Sequence, residues 1–149
     1  MPKGFTASLA ERLDGKSKLH VREAAPGDRL DPASAFLAPG GSHLRLVDGV
    51  LQLNEEPAIG GLRPRADLTI TDAAAALGER LLLVVLTGMG KDGLEGARAV
   101  KQHGGRVLAE AESTCTVYGM PRAVVEAKLA DEVLELQDLP AAIAQEAGA

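Results

Sequence analysis

LLLVVLTGMGKDG, Leu81 to Gly93, decides how this chain folds. Its six consecutive Leu and Val residues lack polar alternation, the pattern of a strand covered on both faces, and such strands belong to parallel α/β sheets. Gly88, Gly90 and Gly93 let the backbone turn sharply. Leu94, Ala97 and Val100 then supply the apolar face of a helix, with Glu95, Arg98 and Gln102 outward. Ligands and reacting groups of open α/β sheets gather outside the carboxyl ends of the strands, and Asp92 falls there.

Downstream of this unit the pattern repeats. The helix stops at Gly104-Gly105, RVLAEAE reads as a strand, STCTVYGMP as a loop, and RAVVEAKLA as a helix with Pro121 near its first turn. DEVLEL is the last strand and LPAAIAQEAGA a terminal helix. Upstream, Phe5, Leu9 and Leu13 recur at helical spacing, with Thr6 and Ser8 near the start of that helix. Short alternating runs follow, and Asp48-Gly49 between HLRLV and VLQLN is a strong hairpin signal. After a loop marked by Pro57, Gly60, Gly61 and Pro64, ADLTITDAAAALGER reads as a helix leading into the apolar strand. The expected fold is α/β: a doubly wound, mostly parallel sheet with helices on both faces and an inserted antiparallel hairpin.

Length and composition fit one soluble domain over residues 1–149, with 46% hydrophobic and 25% charged residues. Aromatic residues make up only 2%, leaving little to stack on bases, and the formal net charge of −5 does not suit a phosphate backbone. Nucleic acid is therefore not an expected partner. Cys115 is the single cysteine, so no internal disulfide forms. The start of the chain lacks the apolar stretch of a secretory signal, and no run reaches the roughly 18 apolar residues of a membrane span. A cytoplasmic location without membrane insertion is the simplest expectation.

Gly88, Gly90 and Gly93 also satisfy G-x-G-x-x-G between a strand and a helix, with Glu110 about 20 residues beyond Gly90. That spacing is a dinucleotide fingerprint, but Asp92 sets a carboxylate where the diphosphate would dock on helix amides. An Asp capping the helix is a further reading of the same residue. His20, His43 and His103 are the available bases. His103 falls at a helix C-terminus, where partial positive charge is favourable, and the other two begin or occupy short strands, as satisfied surface or edge histidines do. Ser42 and His43 are adjacent in a strand and point to opposite faces, so they do not pair. Cys115 sits in a loop without an evident histidine partner, which suits an inert thiol better than a nucleophile. The residues thus offer an acid fit to orient a base, without a base or nucleophile to go with it.

LTGMGKDG (Leu86 to Gly93), followed about twenty residues later by ESTCTVYGMPRA (Glu112 to Ala123), resembles the catalytic domain of the bacterial chemotaxis protein-glutamate methylesterases, the CheB family. MPKGFTASLAERLD, FLAPGGSHLRL and LRPRADL resemble further segments of that family in the same order, so the likeness runs the length of the chain. It implies a cofactor-free, metal-free serine hydrolase that removes methyl esters from glutamate side chains on the cytoplasmic helices of chemoreceptors and releases methanol. Asp92 matches the aspartate of the Ser-His-Asp triad, and Met89 matches the position that helps form the oxyanion hole through its backbone N–H. Gly88, Gly90 and Gly93 would shape that active-site loop. Family members often carry a phosphorylatable receiver domain upstream.

The resemblance also implies a gap. The family's histidine stands immediately before the Met-Pro that here is Met1-Pro2, and its serine lies further upstream, together with two strands of the sheet. The expectation is a chain that lacks these residues and is inactive alone, its LLLVVL strand short of part of its packing. It is either part of a longer enzyme or a shortened relative that binds receptor or partner without hydrolysis.

Overall fold

The computed structural model describes residues 1–148, which divide into two compact units, Met1–Asp72 and a second from Ala73 onward. In the first, α1 (Phe5–Asp14) packs on a parallel pair formed by β1 (His20–Glu23) and β2 (Ser34–Leu37), in register Val21 to Ala35. The sequence marks these runs as alternating and frequently broken, without disclosing that they pair. Next, β3 (His43–Val47) and β4 (Val50–Asn54) form the expected antiparallel hairpin. Asp48 and Gly49 turn it with φ of 52° and 75°, the doubly left-handed turn that matches the twist of paired strands. α2 (Ala66–Leu77) begins in this unit.

The face of α1 departs from the periodicity. Thr6 and Ala10 are the buried residues, while Phe5 is 66% exposed and Leu13 42%. Thr6 explains the rotation, since its hydroxyl donates to the Glu23 carboxylate and accepts the Gly40 N–H at 3.0 Å. These bonds satisfy a side chain that would be costly to bury alone. Thr6 and Ser8 do not cap the helix either, because Gly4 holds the N-cap position without a side-chain bond.

The second unit carries the βα repeat. A 3₁₀ turn at Gly78–Arg80 leads into β5 (Leu82–Val85), then α3 (Leu94–Gln102), β6 (Arg106–Glu110), α4 (Met120–Glu126), β7 (Glu132–Leu134) and α5 (Leu139–Glu146). The strands form one parallel sheet in the order β5-β6-β7, with Val85 beside Ala109 and Glu110 beside Leu134. Val107, Leu108 and Ala109 are fully buried, as are Ala97 and Val100 of α3 and Val124 of α4, the two helices that pack on β6. Each such Val or Leu contributes about 1.5–3 kcal/mol through burial. α3 ends at the Gly104 pair as expected, with Gly104 at φ 82°. Pro121 stands in the first turn of α4, where it loses no helical hydrogen bond.

Covering of the LLLVVL strand is incomplete. Only Val85 is buried, Leu81 to Val84 are half-buried, and Leu86 is 44% exposed. Among the described residues β5 has a strand on one side only.

Candidate functional site

The glycine-rich loop opens at the carboxyl end of β5 and closes at α3, as its sequence predicts. Its first residues are tied on every side. Thr87 N–H donates to Glu110 Oε2 at 2.8 Å, and the Thr87 hydroxyl accepts the Val117 N–H at 2.9 Å while lying 3.3 Å from the Val117 carbonyl. Gly88 N–H donates to that carbonyl at 3.0 Å, and the Gly88 carbonyl accepts the N–H groups of Gly119 and Met120 at 3.1 and 2.9 Å. The loop after β6 is thereby clasped to the loop after β5. Gly119 has to be glycine for this approach, because a Cβ there would stand 2.6 Å from the Gly88 oxygen and 3.0 Å from the Gly90 nitrogen.

Beyond the clasp the chain turns outward and returns. Met89 is 85% exposed, Gly90 takes φ 85°, and Asp92 is buried at 8% exposure. Gly93, at φ 95°, holds the N-cap position of α3, so Asp92 does not take the capping place that one reading gave it. A single loop thus combines an exposed residue at Met89 with a carboxylate withdrawn from water, the kind of group that can hold an imidazole in one tautomer.

The other residues singled out by sequence fall elsewhere or are already engaged. His103 closes α3 and donates from Nδ1 to the Ala99 carbonyl at 2.8 Å. His20 is exposed beside Asp14 at 3.1 Å. His43 is a core residue rather than an edge one: fully buried, with Nδ1 accepting the Arg65 N–H and Nε2 donating to the Pro57 carbonyl, each at 3.2 Å. Those two bonds fix one neutral tautomer. Cys115 is half-buried, and burial followed by the Glu110 and Glu112 charges pushes its thiol up, away from the reactive thiolate. Glu110, the acid that the dinucleotide spacing offered to a ribose, is 1% exposed and occupied with Thr87, so it is closed to such a ligand. Among the described residues no group of His, Cys, Asp and Glu is arranged to hold a metal ion, and no helix is long and apolar enough to cross a membrane.

Sequence reasoning missed the second face of this site, the clasp from Glu110 and Val117. Its partners are mainly backbone groups, which leave no mark on the residue pattern. Gly119, a glycine just before a helix that already holds a favoured Pro at its start, is the one signal that pointed to a close approach.

The comparisons with known proteins identify the family and the fold. The protein-glutamate methylesterase/protein-glutamine glutaminase 2 of Nitratidesulfovibrio vulgaris is 44% identical over 147 residues, covering 96% of this chain and 40% of that protein. The corresponding protein of Moorella thermoacetica is 51% identical over 155 residues, covering all of this chain and 37% of its own length. The chain therefore spans about two-fifths of the length of the curated relatives it matches. The crystal structure of the Thermotoga maritima CheB methylesterase catalytic domain superposes with a TM-score of 0.92 at 43% identity, over 97% of this chain and 79% of that one. The α/β fold, with its parallel strands, is thus shared with that domain. A family model for CheB methylesterase matches residues 1–143, and with the fold and the relatives in agreement the chain belongs to the CheB methylesterase family.

Proposed function

We propose that this chain is the aspartate-bearing part of a protein-glutamate methylesterase that hydrolyses glutamate methyl esters on the cytoplasmic helices of chemoreceptors, releasing methanol. Asp92 orients the catalytic histidine through its Nδ1–H and stabilises the imidazolium formed as the serine is activated. The backbone N–H of Met89 donates to the oxyanion of the tetrahedral intermediate, and Gly88, Gly90 and Gly93 give the loop its close backbone approach. The observation that carries this reading is the family match over residues 1–143 together with a buried carboxylate at position 92 in the loop the resemblance singles out. Met89 supports it, standing 85% exposed in the same loop.

The chain by itself should not turn over, because neither the serine nor the histidine of the family's triad matches a residue here. Loss of either in another serine hydrolase removes about six orders of magnitude in turnover. A receiver domain elsewhere in a full-length protein would relieve a block on this site when phosphorylated. The test is methanol release from methylated receptor, by residues 1–149 alone and by the protein extended with the in-frame sequence upstream of Met1. Residues 1–149 should release none above buffer, and the extended protein should release it, with Asp92→Asn lowering turnover about 10⁴-fold. Release by the chain alone that Asp92→Asn abolishes would overturn its inactivity. An extended protein that carries serine and histidine yet releases no methanol would overturn the esterase reading.

A further inference from the structure

Glu110 is hard to account for as a core residue. It ends β6, the central strand of the second unit, beside fully buried Ala109 and Leu108, and is itself 1% exposed. Its Oε2 accepts the Thr87 N–H at 2.8 Å, and its Oε1 is buried without a close partner among the described residues, the Cys115 thiol being the neighbour that feels the carboxylate. Burying a carboxylate with half its acceptor capacity unused costs free energy, and an apolar residue of similar size generally serves a core at least as well. An orphaned buried polar atom calls for a reason other than stability.

The bond that Glu110 does make supplies the reason. β5 ends at Val85, so Thr87 lies past the last ladder pair, Val85 with Ala109, and its N–H bonds to the Glu110 side chain rather than continuing the backbone ladder. The carboxylate reaches across to take it. This bond fixes Thr87, whose hydroxyl is tied to Val117, and Gly88 is tied in turn to Val117, Gly119 and Met120. Met89 is the next residue, and Asp92 follows on the same short loop.

We propose that Glu110 is a positioning residue for the Asp92 loop: its side chain holds the start of the loop against the Val117 to Met120 segment, and through that clasp sets where Met89 and Asp92 stand. The proposal rests on the esterase reading only for its effect on turnover; the hold itself is a property of the loop. Since the role belongs to an acceptor oxygen and not to a charge, glutamine should fill it and methionine, similar in size but without an acceptor, should not.

Three measurements test this. In the wild-type chain a through-hydrogen-bond coupling should connect the Thr87 amide nitrogen with the Glu110 side-chain carboxyl carbon, and its absence would refute the bond even if no variant folds. In amide exchange, Glu110→Met should lose about tenfold protection or more at Thr87 and Gly88 with Leu108 unchanged, while Glu110→Gln stays near wild type. Loosening of Leu108 to the same extent, no change at Thr87, or equal losses in both variants would each overturn the proposal. In the extended protein, Glu110→Met should lower kcat by about tenfold to a hundredfold with KM little changed, and Glu110→Gln should restore it. A wild-type extended protein without methanol release would sink the esterase reading and leave exchange to decide whether Glu110 holds the loop.

Discussion

Replacing Asp72 with Ala tests a concentrated polar contact of the first unit. Asp72 projects from α2 to the β3 strand, where Arg45 donates Nε at 2.6 Å to Oδ2 and Nη2 at 2.8 Å to Oδ1, and Leu46 N–H adds a third bond at 3.1 Å. The Arg45 side chain remains 32% exposed and that of Asp72 15%, so solvent screens the pair and the ionic part is worth about 1 kcal/mol, the upper end for an exposed pair. The strand amide left without an acceptor adds about 1–2 kcal/mol. Ala recovers about 0.5 kcal/mol of helix propensity at this position. The net expectation is a loss of about 2 kcal/mol in urea unfolding followed by circular dichroism at neutral pH.

The loss should also depend on pH in a defined direction. Burial pushes the Asp72 carboxyl up, but the Arg45 and Leu46 bonds outweigh it and hold the folded value below the ordinary 3.8. A folded value below the unfolded one means that the unfolded chain binds the proton more readily, so the contribution is complete above 3.8 and disappears as pH falls through the lowered folded value. Wild type and Asp72→Ala should therefore converge in acid. In an Arg45→Met background the same substitution should cost only the share of the strand amide, about 1 kcal/mol. A penalty under about 0.5 kcal/mol at pH 7, or one that survives undiminished at about pH 3, would refute the reasoning.

Other consequences are open to simpler tests. His43→Leu keeps the volume but strands the Arg65 N–H and the Pro57 carbonyl; it should cost about 1–3 kcal/mol in urea unfolding, and a neutral result would mean that the loop finds other partners. Gly119→Ala would bring a methyl to 2.6 Å from the Gly88 oxygen, and the clasp should part. The expected cost is about 1–3 kcal/mol, with faster exchange of the Met120 amide; wild-type exchange there would contradict the close approach. With its thiol pushed up by burial and by Glu110 and Glu112, Cys115 should react with iodoacetamide more slowly than free cysteine at pH 8, and an equal rate would count against that environment.

The parts of this fold that sequence disclosed are those set by local chemistry. Asp48-Gly49 specifies its turn from two residues, and the Leu81 to Val100 stretch carries strand, loop and helix in order, since apolar period and glycine placement are both local. The parallel pairing of β1 with β2 was not legible, because it joins residues fourteen apart, as Val21 with Ala35, through backbone bonds that favour no particular side chain. α1 misled for a different reason. Its apolar period is genuine, yet the buried face is chosen by the Thr6 hydroxyl, which satisfies Glu23 and Gly40 from distant points of the chain. His43 reads as a strand residue with a polar tip, and only the loop that brings the Pro57 carbonyl and the Arg65 amide to its two nitrogens makes it a core residue.

The second unit also limits what its loop can do by itself. His103 is the only histidine after Asp72, and its Nδ1 is occupied by the Ala99 carbonyl. Ser113, the only serine there, donates to Glu135, and the Cys115 thiol is pushed away from ionisation. None of these is poised as a nucleophile with a base beside it, so if Asp92 acts as a triad acid, the base must come from outside residues 73–148. In the proposed role, a triad acid whose base comes from elsewhere cannot rely on that base to set its position. Its position has to be fixed in advance by its own loop, since displacement by about 1 Å is enough to lower a rate a hundredfold. That would be the role of the clasp under the proposed function: Gly119 admits the close approach of two loops, Thr87 ties them together, and Glu110 accepts the Thr87 N–H from the end of β6.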